Sequence, residues 1–560
     1  MVWVIIQWLV MLLLGLTIGD LMLRLFGVKT EIDDPIERII LIFFTGVTGI
    51  IFIGGIYQLY LPINLFFSVS LIIFGIFYTH NNNQRLRGFA GDLYNHVKDL
   101  SLFSILIFTA IILVALLKSI TLSEVIDEAA YHMPFIRWIE TFPIIPGIAN
   151  IEDRMGFNPS KYLLDAIMSF RTTNFDGIYA LNGLIYILYA TIAVRSIHRL
   201  LKKQIDHLHE DVLMVISLLF TWKYPLTGVD ADFLNIYGSI LFIYFSLKNL
   251  KQKKIHISSP LLFLLILLVT NKFSAIFLGI IYLFILFKKS NPLQNPTIKP
   301  ILFAFAFVTT WVVRNVIISG YLIYPIYQID LFSYDWKVPI EIARGQYFYV
   351  EDYAKREEVM NVGQYSQLRE GPSFYNWISV WLSNVLFFKS SIFAIAGIVV
   401  SFIYFAWIRY RKIPNIQPVI WQFVILNICL FAIWFFKMPA FRFGWHFIIT
   451  LIAIAVSFLY FQSKRLFQII MVLLFFGVAA SNLRNVFQSI ALSERIADNW
   501  LKPSNRFSPY DPCKLNINGV SINVSSVYEC GTLSPPCFPD NFYPGLTLRG
   551  SRIEDGFCIK

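Results

Sequence analysis

Charge is scarce in this chain. Only 14% of its 560 residues are Asp, Glu, Lys or Arg, where a soluble domain carries about a quarter. With a mean hydropathy of +0.64, that excludes an ordinary water-soluble enzyme. Cysteine is rare, with five in all. There is no acidic tail, low-complexity tract or internal repeat. No Walker or Rossmann glycine pattern argues for a nucleotide, and no HExxH, CxxC or histidine-rich spacing argues for a bound transition metal. The first twenty residues, MVWVIIQWLVMLLLGLTIGD, lack a basic n-region and a small-residue cleavage site, so they read as a retained helix and not a signal peptide.

What the chain has is apolar length. A span needs about 20 apolar residues, or fewer where a helix is broken or covered by its neighbours, and about fourteen segments meet that test. They lie near 2–19, 38–60, 62–79, 100–117, 175–194, 211–223, 233–247, 259–270, 273–287, 300–318, 389–408, 418–436, 445–462 and 466–482. The expected fold is an all-α polytopic membrane protein. The formal charge of +11 would raise the question of nucleic acid in a soluble protein. Here the basic residues sit in short clusters between apolar runs, the pattern that encodes orientation in a bilayer. The bilayer is therefore the expected partner, and nucleic acid is not.

Positive residues near helix ends resist translocation. Arg85, Arg87 and Lys98, then Arg195, Arg199, Lys202 and Lys203, then Lys248, Lys251, Lys253 and Lys254 fall on one side, which reads as cytoplasmic. Lys288, Lys289 and Lys299, Arg409, Arg411 and Lys412, and Lys464 and Arg465 join them. The first connection, with Arg24, Lys29 and Arg38 against five acids, joins only weakly. A single helix over 259–287 would put one of its two flanking basic clusters outside, so this stretch reads as a hairpin of two short helices with Asn271 and Lys272 at its outward tip.

The opposite side receives 119–174, 224–232, 319–388 and the tail 483–560. The division this suggests is N-terminal helices over 1–99, a module over 100–482 with outer loops 119–174 and 319–388, and the tail. Cys513, Cys530, Cys537 and Cys558 lie in that tail, which suits an oxidising compartment and disulfides whose pairing stays open. Zinc is the competing reading, but spacings of 17, 7 and 21 contain no C-x₂₋₄-C pair. KLNINGVSINV reads as a β-hairpin turning at Asn518-Gly519.

Candidate chemistry collects on the outer side. Asp127 and Glu128, followed by Tyr131 and His132, open the first outer loop. A carboxylate at the mouth of a membrane cavity can take a proton from an incoming hydroxyl. The alternative is that these acids cap an amphipathic stretch, AAYHMPFIRWIETF, lying on the membrane surface. Lys272, Arg314 and Arg442 lie beside or within apolar helix ends on the side where positive charge is disfavoured. Together they suit a phosphate; singly, each can snorkel to head groups. His446 reads as a packing histidine. Asp230 and Asp232 are candidates to assist Asp127, to bind a divalent cation or to orient a sugar hydroxyl, against the plainer reading of loop acids. Segment 319–388 alternates aromatics with carboxylates, Tyr347, Tyr349, Tyr353 and Trp377 among them, and suits either sugar binding or an interfacial aromatic platform.

The segment IDEAAYHMP, an acidic pair in an outward loop after an early helix, resembles the first outer loop of the polytopic GT-C glycosyltransferases. More closely, DEAAYHMPFIRWIETFPIIPGIANIEDRMGFNPS, RNVIISGYLIYP, DWKVP and PAFRFGWHF resemble a bacterial family of large membrane proteins associated with that superfamily. The resemblance spans roughly 100–450 and departs from the commoner pattern by three extra helices before the acidic loop. It implies an inner-membrane enzyme with its site and tail on the extracytoplasmic face, transferring a sugar from a polyprenyl-phosphate donor to a glycan, lipid or protein acceptor. Asp127 becomes the catalytic base, Glu128 its helper or substitute, and Arg314, Arg442 and Lys272 the holders of the donor's phosphate; His132, Asp230 and Asp232 remain candidate substrate or metal contacts. Two further readings stand beside it. An outer-face polysaccharide polymerase or ligase needs no acidic base, and a lipid-linked sugar transporter forms no glycosidic bond.

Overall fold

Each of the fourteen apolar segments falls on a helix. The computed structural model describes all residues except 29–31, 33, 84–87, 89–90, 92–93, 95–97, 121–126, 173–176, 222–227, 252–257, 289–297, 359, 361, 388, 412–416, 494–512, 526–536 and 540–544. Lys29, Arg85, Arg87, Lys253, Lys254, Lys289, Lys412 and Cys530, named above, lie outside the described residues. Among those described, nine helices are long and apolar enough to cross a membrane: Val2–Phe26, Pro35–Gln58, Leu102–Ser119, Leu181–Leu201, Asp232–Lys251, Ile298–Ser319, Pro418–Lys437, Phe441–Gln462 and Lys464–Ser481. The remaining expected segments lie in the shorter apolar helices Leu65–Asn81, Pro260–Asn271, Phe273–Lys288 and Ala394–Tyr410 and in Leu208–Thr221. The chain is an all-α membrane protein in its coarse class.

Local signals explain several boundaries. Asp34 caps Pro35–Gln58, accepting from the amides of Ile36 (3.0 Å) and Glu37 (3.4 Å) with proline at the first helical position. Ser101 caps Leu102–Ser119 in the same way. The first two helices cross closely at glycine, since a Cβ on Gly46 would stand 1.9 Å from the Gly15 carbonyl oxygen. Small residues let backbones approach where lipid supplies no hydrophobic drive. One apolar core runs from Val4 to Phe557 without a break at residue 100.

Ionic groups separate to the two ends of the bundle. At one end the acids of the first connection neutralise the basic clusters of later loops. Asp34 pairs with Arg195 (3.1 Å) and Arg199 (3.3 Å), and Glu37 with Lys248. Asp211 pairs with Arg199 (2.5 Å) and Glu210 with Lys251 (2.7 Å). The weak positive count of the first connection thus has a physical reason: its acids serve as counter-ions there.

At the other end the expected outer segments meet. Ile144 N–H donates to the Gln58 carbonyl (2.9 Å), Gly147 N–H to Ile317 (2.8 Å) and Ser160 N–H to Thr270 (3.2 Å), which bolts loop 127–169 onto three helix ends. Helix Met133–Thr141 does not lie on the membrane surface, because Met133 to Glu140 are all buried. Its polar face is satisfied inside, with Glu140 accepting from Tyr179 (2.7 Å) and Arg171 (3.3 Å). Helix Ser258–Asn271 stops as expected, and after Lys272 a 3-10 turn, Phe273–Phe277, leads into Leu278–Lys288.

The tail forms small sheets. Strands β1 (Cys513–Ile517) and β2 (Val520–Ser525) pair antiparallel with Cys513 opposite Val524, and Asn518 (φ 50°) and Gly519 (φ 83°) make the two-residue turn. Strand β3 (Cys537–Pro539) runs parallel to β2. Strand β4 (Leu546–Leu548) pairs with β5 (Phe557–Ile559). Cys558, in β5, is a buried free thiol, so the tail does not tie up all four of its cysteines. The start of β5 docks on segment 127–169 through Phe557 N–H to the Pro146 carbonyl (2.9 Å). Arg549 pairs with Asp335 (2.7 Å), drawing segment 319–388 in as well.

Candidate functional site

Asp127 stands at the start of the five-residue π-turn Glu128–His132 and makes no side-chain cap to it. The capping alternative therefore does not describe its carboxylate. Instead Oδ1 accepts from Arg154 Nη1 at 3.1 Å while the side chain keeps 45% of its exposure. Arg154 is itself fixed from two other directions. Its Nε donates to Glu152 (2.6 Å), and its guanidinium lies 4.3 Å from the centre of the Tyr131 ring.

Glu128, one residue on, plays a different part. It is 1% exposed and accepts the amide of Val229 at 3.2 Å. Gly228, at φ +89°, leaves it room: a Cβ there would stand 2.0 Å from Glu128 Oε2. The second acidic loop is gripped from other sides too. Asn182 donates to the Gly228 carbonyl (2.9 Å), Lys161 to Val229 (3.3 Å) and Asn271 to Ala231 (2.7 Å). Lys161 is paired with Asp165 at 2.7 Å, both essentially without exposure. Glu128 is thus a positioning residue for the backbone that carries Asp230 and Asp232.

Asp230 turns its Oδ1 to the Asp232 amide (2.8 Å), opening helix Asp232–Lys251. Asp232 faces two cations, Lys272 and, at 3.5 Å, the Nε of Arg442. Lys272 Nζ lies 4.2 Å from the centre of Phe443, and the Arg442 guanidinium 5.4 Å from Tyr353. Asp230 Oδ1 thus faces an amide, and the two Asp232 oxygens face Lys272 and Arg442. Among the described residues no three His, Cys, Asp or Glu side chains group as metal ligands.

His132 sits behind this cluster, 5% exposed, its ring 5.6 Å from that of Tyr162. Burial pushes its pKa down to about 4, against the pull of Asp230 and Asp127, so the imidazole is neutral at pH 7. Arg314 does not join the cluster. It points into the bundle and donates to Gln58 Oε1 and, at 3.2 Å, to Asn158 Oδ1. Trp377 is buried against Trp381 and Lys355, which leaves it no face for a sugar. His446 is buried with its ring 4.1 Å from that of Phe447.

Asp153, adjacent to Arg154, was not singled out by its sequence. It is buried between two tyrosine hydroxyls of segment 319–388, Tyr324 (3.0 Å) and Tyr365 (2.8 Å). Burial, aided by neighbouring Glu152, raises its pKa to about 7. The cluster therefore combines a half-exposed carboxylate, two cations resting on aromatic faces, and a buried carboxyl of raised pKa where two loops meet.

A family model described as "Domain of unknown function (DUF8201)" matches residues 1–449. The chain belongs to this DUF8201 family. Every cluster residue from Asp127 to Arg442 lies inside the matched region, and the sheets of the tail lie outside it. No curated protein and no solved structure matches the chain.

Proposed function

We propose that this DUF8201 chain is a membrane glycosyltransferase of GT-C type, acting on the extracytoplasmic face of a bacterial inner membrane. In this reading the five shorter apolar helices complete about fourteen crossings. The donor is a sugar on a polyprenyl phosphate, its chain between helices.

The observation that carries the proposal is the meeting of Asp127 with Lys272 and Arg442 around one pair of loops, although the three come from elements far apart in sequence. The charges of Asp127, Asp230, Arg154 and Lys272 all act on the one buried ring of His132. Asp127, held by Arg154 but open to solvent, takes the proton of the acceptor hydroxyl. The freed oxygen attacks the anomeric carbon as the glycosidic bond to phosphate breaks, and the bonding pair leaves with the phosphate. Lys272 and Arg442 stabilise the charge that develops there, and attack from the face opposite the leaving group inverts the anomeric centre.

The test is mass analysis of glycans and lipids from cells carrying wild type, a deletion, or Asp127→Asn at matched expression. Removal of a general base typically costs 10²–10⁴-fold, so the deletion should lose one sugar unit that Asp127→Asn fails to restore. Full restoration by Asp127→Asn would sink the reading and favour polymerisation or transport.

A further inference from the structure

Residues 545–560 lie across a seam between two outer segments. On one side is segment 127–169, which carries Asp127 and Arg154; on the other is segment 319–388, which carries Tyr349 and Tyr353. Asn150, fully buried, stands where the three pieces meet. Its Nδ2 donates to the Trp336 carbonyl at 2.8 Å and to the Phe557 carbonyl at 3.3 Å, so one side chain joins both segments to the tail. The two segments also touch without the tail, where Asp153 meets Tyr324 and Tyr365. The tail thus adds a second joint to the first.

The fit of tail to seam is built into the backbone. A Cβ on Gly147 (φ 67°) would stand 2.2 Å from the Phe557 oxygen, and one on Gly556 (φ 96°) 2.3 Å from the Pro146 oxygen. Both the close approach and the positive φ require glycine. Phe557 N–H donates to that same Pro146 oxygen, and its ring is fully buried, edge-on to Trp138 with centroids 6.1 Å apart. On the other side of the seam the Arg549 guanidinium, paired with Asp335, lies 4.7 Å from the centre of Trp336, which stacks on Tyr334 at 4.3 Å. The Arg549–Asp335 pair stands at the surface, where an ion pair contributes little. Phe557 and the backbone bond therefore supply most of the hold. The seam lies within the family match at 1–449 and its occupant lies outside it.

We infer that residues 545–560 are a releasable strap: docked in the seam they hold segments 127–169 and 319–388 together around the Asp127 cluster, and their release lets the segments part. The strap acts on access to the cluster and is independent of the chemistry performed there. A joint held by one buried ring and a few hydrogen bonds opens at a lower free energy than the helix bundle beneath it.

Cys558 reports the docked state, since its free thiol is 6% exposed beside Phe557. Maleimide labelling of the full chain in nonionic detergent, read site by site by peptide mass spectrometry, measures how often the strap opens. Hydrogen exchange of the same samples follows residues 143–150 and 334–338. Gly556→Ala drives a methyl group into the Pro146 backbone. It should speed Cys558 labelling about tenfold or more and quicken exchange in both stretches, with exchange in helix Pro35–Gln58 unchanged. Arg549→Ala removes only the surface contact and keeps the fold, so it should move both readouts in the same direction by about two- to fivefold. If Gly556→Ala loosens helix Pro35–Gln58 as well, Arg549→Ala decides. Faster Cys558 labelling with wild-type exchange in 143–150 and 334–338 makes the tail a passenger and overturns the inference, as does labelling that neither variant changes.

Discussion

The carboxylate of Glu128 accepts the backbone amide of Val229, 101 residues further along the chain, at 3.2 Å. Through this bond the loop that begins at Asp127 sets the place of the Gly228–Asp232 loop, and with it the two aspartates that begin helix Asp232–Lys251. Removing the acceptor leaves a buried amide unsatisfied, which costs about 1–3 kcal/mol. Glu128→Ala should lower the melting temperature in detergent accordingly, whereas Glu128→Gln, which keeps an acceptor oxygen, should melt close to wild type. Under the proposed transfer, Glu128→Gln should also keep most of the activity that Asp127→Asn loses. A Gln variant as inactive as Asp127→Asn, at an unchanged melting temperature, would make Glu128 a reacting group and not a support.

Asp153 gives the joint between segments 127–169 and 319–388 a dependence on pH. Its pKa lies at about 7 when folded, well above the usual carboxylate value of about 3.9 that it takes in the unfolded chain. A raised carboxyl pKa contributes stability that is fully present below about pH 4 and is lost as pH rises through about 7. Asp153→Asn cannot titrate, so wild type should lose stability relative to this variant between pH 4 and pH 7, with a constant difference above that. Melting curves of both proteins across pH 4 to 8 would show it; parallel curves would refute it.

Asp232 is the counter-ion of Lys272 and Arg442. Removing one partner of a largely buried pair leaves the other charge uncompensated, and Asp232 faces both Lys272 and Arg442. Asp232→Asn should therefore destabilise by about 1–3 kcal/mol, below the full buried-pair cost because Lys272 and Arg442 keep partial access to water. Combining it with Lys272→Met should recover part of that loss, because the double variant removes a charge as well as its partner. Strictly additive costs in a double-mutant cycle would show that the groups are not coupled.

The sequence displays some of these features and conceals others for physical reasons. Apolar runs are a local property, so each expected segment lands on a helix, and the Asn518-Gly519 turn forms because both residues tolerate positive φ. The ends of the bundle are also legible, since charge cannot rest at mid-membrane. What hydropathy does not carry is the partner of a polar group. Arg154 meets Asp127 across 27 residues, and Lys161 meets the Val229 carbonyl across 68, with no periodicity to announce either. The helix Met133–Thr141 has an amphipathic sequence, yet Glu140 finds Arg171 and Tyr179 inside, so its polar face needs no water. Arg314 lies near the same end of the bundle as Lys272 and Arg442, but its side chain meets Gln58 and Asn158 instead.

The crossing of the first two helices supplies the last prediction. A Cβ on Gly46 would stand 1.9 Å from the Gly15 oxygen and 2.7 Å from the Gly19 nitrogen, both backbone atoms that no side-chain rotation can move aside. Gly46→Ala must therefore separate the helices, forfeiting the dispersion contacts that hold them together in lipid. An overpacking cost of about 1–3 kcal/mol is expected. Gly279, in helix Leu278–Lys288, has nothing within 4 Å of its built Cβ. There alanine should stabilise by about 0.5–1 kcal/mol, through the entropy that glycine loses in a helix. The two substitutions have the same chemistry and opposite expected signs, so melting temperatures of the pair separate close packing from helix propensity. A stabilised Gly46→Ala would mean that the two helices do not cross at this point.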